Sequence, residues 1–110
     1  MNFFKKIKHI HFEGISGAGM IGIARLLLQK GYKVSGSDIS NSYELKKIRK
    51  EGAKVLIGHS RKNVKNSNLI VVSTAIDKKN PEILEGIKTG ITIIPRAEML
   101  GSIMRGYESI

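Results

Sequence analysis

The sequence predicts an α/β fold, a Rossmann-like parallel sheet with helices on both faces, closed as a single domain. Three observations carry this. Apolar segments of strand length alternate five times with segments of helical spacing, the pattern of a parallel sheet covered by crossover helices. The first strand runs into "GISGAGMIG" (14–22), where Gly17, Gly19 and Gly22 stand at the G-x-G-x-x-G spacing ahead of a helix. The segment "NLIVVSTAI" (68–76) is nearly continuously apolar, as a strand covered on both faces must be.

Ile7, Ile10 and Phe12 form the first strand, with imperfect alternation. Met20, Ile23, Ala24, Leu27 and Leu28 then recur at helical spacing, and Gly31 supplies the C-cap. "YKVSGSD" is a second short strand ending in Asp38. Ser42 caps a helix that carries Leu45 and Ile48 and stops at Gly52. "AKVLIGH" is the third strand and "NLIVVSTAI" the fourth. Asn80 caps a helix with Pro81 in its first position, where the missing N–H is not needed. "GITIIPR" is the fifth strand, and "AEMLGSIMR" a last helix with Met99, Leu100, Ile103 and Met104 apolar. No linker, repeat or low-complexity segment interrupts the series.

A chain of 110 residues with 41% apolar content suits one domain with a lean core. The absence of cysteine excludes a disulfide framework, thiolate metal sites and thiol nucleophiles. The longest apolar run is too short to span a bilayer, and "MNFFKKIKHI" lacks the continuous apolar region of a signal peptide. A cytoplasmic protein is therefore expected. The net charge of +10 raises the possibility of nucleic-acid binding. The basic residues are scattered, however (Lys5, Lys6 and Lys8; Lys46, Lys47, Arg49 and Lys50; Arg61, Lys62 and Lys65; Lys78 and Lys79), among three Phe, three Tyr and no Trp. Neither a nucleic-acid nor a membrane partner is expected; such a charge raises the on-rate of a small anionic ligand.

In sheets of this kind ligands bind beyond the carboxyl ends of the strands. The candidates are thus 14–22, 37–40, Gly58 with His59, 73–76 and Arg96. In the glycine loop, Gly17 is expected to permit the tight turn, Gly19 the approach of backbone to a pyrophosphate, and Gly22 close packing of helix on sheet. The helix N-terminus adds N–H donors and partial positive charge. Asp38 stands 19 residues after Gly19, near the interval at which an acid meets a ribose or base, though an aspartate there can also cap a helix or close a turn. His59, after a strand, reads more readily as a solvated or locally hydrogen-bonded loop residue than as a ligand contact. Ser73 and Thr74 can meet phosphate or sugar oxygens or close a turn. Arg96 can clasp a phosphate or carboxylate two-pronged, or pair with Glu98. These residues alone suit a nicotinamide dinucleotide as well as other nucleotides.

Taken together, "HFEGISGAGMIGIARLLLQKGYKVSGSD", "GAKVLIGH", "VVSTAI", "NPEI" and "IPRAEMLGSIMR" resemble the N-terminal domain of the Mur ligase family, over nearly the whole chain. The "SGAGM" loop, the "GH" and the "RAE" favour its alanine-adding branch over the branch that recycles muropeptides. The resemblance implies a role in peptidoglycan biosynthesis, with the loop cradling the diphosphate of UDP-N-acetylmuramic acid and no nicotinamide bound. By matching position, Gly17, Ala18, Gly19 and Met20 would offer backbone N–H groups to the diphosphate. Asp38, Ile39 and His59 would hold the uridine, and Ser73, Thr74 and Arg96 would face the phosphates or amino sugar. Ser16 and Ile21 stand where the family commonly has glycine and serine, and Thr74 where a second serine is usual.

In the family, ATP and magnesium act in a central ATPase domain next to a C-terminal domain, on a glycine-rich loop that carries lysine. No Gly-Lys pair occurs in the 110 residues. Residues 1–110 are therefore expected to be the substrate domain alone, excised or truncated, with no catalytic residue and no metal ligand of its own.

Overall fold

Five short parallel strands in the order β3-β2-β1-β4-β5 form the sheet of the computed structural model, which describes residues 7–17, 19–39, 41–73, 78–99 and 101. In chain order the elements are β1 (His9–Glu13), α1 (Met20–Gln29), β2 (Lys33–Asp38), α2 (Tyr43–Lys50), β3 (Lys54–Ile57), β4 (Leu69–Val72), α3 (Pro81–Thr89) and β5 (Thr92–Pro95). A 3-10 turn, Arg61–Val64, which the sequence pattern did not suggest, precedes β4. The chain winds outward from β1 to β3, then crosses back to place β4 on the other side of β1. The crevice of such a sheet opens where that reversal occurs, beyond β1 and β4.

The side-chain period of two explains which residues are covered. Leu69 and Val71 of β4 join the larger core with Ile10 and Phe12 of β1, Met20 and Leu27 of α1, and Leu45 and Ile48 of α2. Ile70 and Val72 point the other way, into a smaller core with Val64 and Ile83. Both faces of β4 are buried, which is why its sequence shows no alternation. In β1 the second face is polar instead: His9 and His11 are buried between apolar neighbours.

The local signals at the helix ends hold. Ser42 Oγ accepts from Leu45 N at 3.4 Å, and Asn80 Oδ1 accepts from Glu82 N at 2.9 Å with Pro81 opening α3. Gly31 follows α1 with φ +96°, a left-handed conformation that side chains resist. β3 ends at Ile57 and the described part of β4 at Val72, earlier than the apolar runs imply. Gly58 turns the chain away while its N–H still donates to Asp38 O at 2.6 Å. Residues 96–99 and 101 are helical; Leu100, Ile103 and Met104 of the expected last helix, and Thr74 to Ile76 of the expected fourth strand, lie outside the described residues. Among the described residues no helix is long and apolar enough to cross a membrane.

One role assigned to the glycine fingerprint is corrected. Gly22 is exposed, and a Cβ there would meet nothing within 4 Å, so it does not bring α1 close to the sheet. Close approach falls to two glycines outside the fingerprint. A Cβ on Gly36 in β2 would lie 2.6 Å from Ile15, and one on Gly86 in α3 would lie 2.7 Å from Ile70.

Candidate functional site

The glycine loop leaves β1 at the crevice. Gly14 and Ile15 N–H both donate to Ser37 O, at 2.9 and 3.0 Å, so the loop starts bound to the end of β2. Gly17 N–H donates to Gly14 O and Met20 N–H to Gly17 O, each at 2.9 Å. Two of the four N–H groups expected to meet a diphosphate are thus used inside the turn, and the Met20 side chain is fully buried in the core. Ala18 lies outside the described residues. Gly19 caps α1 with φ +77°, the left-handed conformation that favours glycine.

Ser73 and Arg96 both lie against this loop. A Cβ on Gly17 would lie 3.5 Å from Ser73 Cβ, and one on Gly19 would lie 3.1 Å from both Cδ and Nη1 of Arg96. The Arg96 guanidinium therefore lies against the backbone of Gly19 at the N-terminus of α1, where a helix already favours anions. Arg96 itself begins the last helical segment rather than extending β5. Thr74 lies outside the described residues.

Asp38 ends β2 and is buried. Its Oδ2 accepts from Ser16 N at 3.0 Å and from Ser16 Oγ at 2.5 Å, and its Oδ1 accepts from Ile39 N at 2.9 Å. The carboxylate is held against the loop, and the next side chain, Ile39, projects into solvent. The serine that departs from the usual family glycine is thus a double hydrogen-bond donor to the Asp38 carboxylate.

His59 stands across β2 from the loop, and its surroundings contain groups that sequence reasoning missed. Its Nδ1 lies 2.8 Å from Ser37 Oγ, and Ser37 Oγ donates to Glu82 Oε1 at 2.6 Å. The Glu82 carboxylate is fully buried. It also accepts from His11 Nε2 at 2.8 Å, Asn63 Nδ2 at 2.7 Å and Ser60 N at 3.1 Å. Burial pushes the Glu82 carboxyl upward. The hydrogen bond and charge of His11, with the hydrogen bonds of Ser37 and Asn63, outweigh it and hold the group down at about 2. Farther in, Ser35 Oγ lies 2.8 Å from both His11 Nδ1 and His9 Nε2. On the outer side, His59 Nε2 is 3.8 Å from Glu13 Oε1, and Glu13 Oε1 also accepts from Asn80 Nδ2 at 3.0 Å.

A signal for this cluster existed. His9 and His11 share one face of β1, and the parallel register sets His11 opposite Ser35 and Glu13 opposite Ser37. Polar residues at period two on neighbouring central strands mark a buried polar row. What the row lacks in sequence is its acceptor, because Glu82 comes from α3, 45 residues after Ser37.

A family model described as Mur ligase family, catalytic domain, matches residues 9–108. A UDP-N-acetylmuramate–L-alanine ligase from a Psychrobacter species is 48% identical over 101 residues, which cover 92% of this chain and 21% of that protein. Among solved structures, a UDP-N-acetylmuramate-alanine ligase from Thermotoga maritima superposes with a TM-score of 0.83 at 29% identity, over 90% of this chain and 23% of its own. A murein peptide ligase from Psychrobacter arcticus superposes with a TM-score of 0.77 at 25% identity, over 84% of this chain and 20% of its own. The chain thus spans about a fifth of the length of the relatives it matches.

Proposed function

The chain belongs to the Mur ligase family, and from that premise we propose that it holds UDP-N-acetylmuramic acid for the ATP-dependent ligase that joins L-alanine to it. The observation that carries this reading is the Arg96 guanidinium lying against Gly19 at the N-terminus of α1, in the crevice beside β1 and β4. A left-handed glycine, a helix N-terminus and a guanidinium at one point suit a diphosphate. Gly17, Ala18, Gly19 and Met20 form the loop around it, with Gly19 and Arg96 nearest the charge. Ser73 and Thr74 would meet the phosphates and sugar. Asp38, Ile39 and His59 take the uridine end.

On this reading the chain supplies binding and orientation and performs no phosphoryl transfer by itself. Activation of a carboxylate by ATP depends on positioning ATP and magnesium against it, and this chain lacks the glycine-lysine loop for that purpose. In the long relatives, the rest of the chain would provide those groups and the alanine pocket. The alanine-adding assignment, in preference to muropeptide recycling, rests on the 48% identity to the alanine ligase.

The test is a calorimetric titration of the chain with UDP-N-acetylmuramic acid and, separately, with NADH. Saturable heat with the first and none with the second is expected; the reverse would establish a nicotinamide domain and overturn the proposal. Incubation with ATP, magnesium, L-alanine and the nucleotide sugar should give no product by mass. Turnover that survives removal of trace host ligase would place the chemistry within these residues.

A further inference from the structure

The direction of the hydrogen bonds around Glu82 has a consequence at the ligand end of the site. An ionised carboxylate only accepts. Ser37 has one hydroxyl proton, and at 2.6 Å from Glu82 Oε1 that proton must point at the carboxylate, since the alternative sets two oxygen lone pairs against each other. The Ser37 oxygen then faces His59 Nδ1 at 2.8 Å as an acceptor, so Nδ1 carries a proton. In the neutral imidazole one nitrogen donates and the other accepts, which leaves Nε2 bare. The Nε2–H form, commoner in water, is the one this arrangement excludes.

The same carboxylate also fixes where the ring stands. Glu82 Oε2 accepts from Ser60 N, the residue after His59. It also accepts from Asn63 Nδ2, which donates to Gly58 O, the residue before, at 3.0 Å. The loop 58–60 is therefore clamped on both sides of His59 by one buried group on α3. The His59 side chain remains 20% exposed, with Nε2 on the outer side and Glu13 Oε1 3.8 Å away, beyond hydrogen-bonding distance.

We infer that Glu82, acting through Ser37, sets His59 as a hydrogen-bond acceptor at Nε2, and that this nitrogen selects a donor on the nucleoside. The inference rests on the proposed nucleotide site. Glu82 and Ser37 are positioning residues; neither touches the ligand. Two groups of a uridine nucleotide offer the required proton, the imide N–H of the base and a ribose hydroxyl. The ring stands between two carboxylates, with Glu13 Oε1 on β1 3.8 Å from Nε2 and Glu82 Oε2 on α3 3.7 Å from Nδ1.

Long-range 1H–15N NMR of the labelled chain without ligand, at alkaline pH, reads the tautomer directly. The expected spectrum shows His59 protonated at Nδ1. Ser37→Ala removes the relay; His59 should revert to the Nε2–H form, and affinity for UDP should fall five- to tenfold with the amide spectrum still that of a folded chain. Ser37→Thr keeps a hydroxyl and should keep both. Methylation of the base at N3, or loss of the 2′-hydroxyl, should weaken binding to the natural chain and not to Ser37→Ala, and the analogue that does so identifies the donor. An Nε2–H form in the natural chain, or a tautomer indifferent to Ser37→Ala, overturns the inference. So does a tautomer that switches without any change in affinity. An Nδ1–H tautomer in a chain that binds no UDP overturns the nucleotide reading and the recognition role together, and it is distinguishable because the tautomer is read without ligand.

Discussion

Ser16 donates twice to one oxygen of Asp38, from its backbone N at 3.0 Å and its hydroxyl at 2.5 Å, tying the glycine loop to the end of β2. A glycine at 16 would retain only the first bond. Ser16→Ala should therefore lower stability by about 1–2 kcal/mol, the worth of a hydrogen bond to a charged group reduced by partial exposure. It should also weaken UDP more than inorganic pyrophosphate, because the acid it steadies is the one proposed to hold the nucleoside. Thermal denaturation and titration with the two ligands check both parts.

Gly19 and Gly22 belong to the same fingerprint and should respond in opposite ways. At Gly19 the left-handed φ and the contact with Arg96 leave no room for a branched side chain. Gly19→Val should cost roughly 1–3 kcal/mol in stability and reduce UDP affinity at least tenfold by displacing the guanidinium. Gly22 is the third residue of α1, in its first turn, with open space around it. Gly22→Ala should stabilise the fold by up to about 0.5–1 kcal/mol, the helix-propensity difference at an interior position being the upper bound for a first-turn residue. Denaturant unfolding of the two variants side by side tests the assignment.

The same pair illustrates how far the sequence could be read. The helix caps at Ser42 and Asn80, the stop at Gly31 and the two-sided burial of β4 are local, set by residues within a few positions of one another, and so they were visible in the pattern. The position of Arg96 beside Gly19 followed only from the general rule about strand ends. Gly22 was misread because spacing assigns a role without knowing the packing distance, which here is set by Ile15 over Gly36. The Glu82 hub escaped entirely: it joins residues from β1, β2, the turn after β3 and α3, and no local window contains them.

Gly36 provides a test of that packing. Its neighbour Ile15 is fully buried and lies in the loop itself, with Cβ and Cδ1 within 2.7 Å of where a methyl would stand. Gly36→Ala must push the loop off β2 and should cost about 1–3 kcal/mol, the usual penalty for overpacking. Combining it with Ile15→Ala should recover part of this loss. A double variant no more stable than the sum of the single effects would show that the two sites do not share the strain.

Acid should unfold the protein in two stages with separate causes. Burial, then the positive charge of Lys33, hold His9 below its ordinary 6.5; the folded state binds this proton less readily than the unfolded chain, so stability begins to fall as pH drops below about 6.5. Glu82 is lowered from 4.5 to about 2. Its contribution is fully present above the unfolded value and is lost as pH falls through the folded one. The second stage therefore lies between about 4.5 and 2 and amounts to about 3 kcal/mol by linkage. Glu82→Gln should abolish this second stage and leave the first. It should also lower stability at neutral pH, because an amide cannot accept all the donors that converge there. Urea unfolding of both proteins from pH 3 to pH 7 measures the two slopes. If the variant retained the full loss between pH 4.5 and 3, acid sensitivity would reside in other carboxylates, and Glu82 would not be the charge that binds β1, β2 and α3 together.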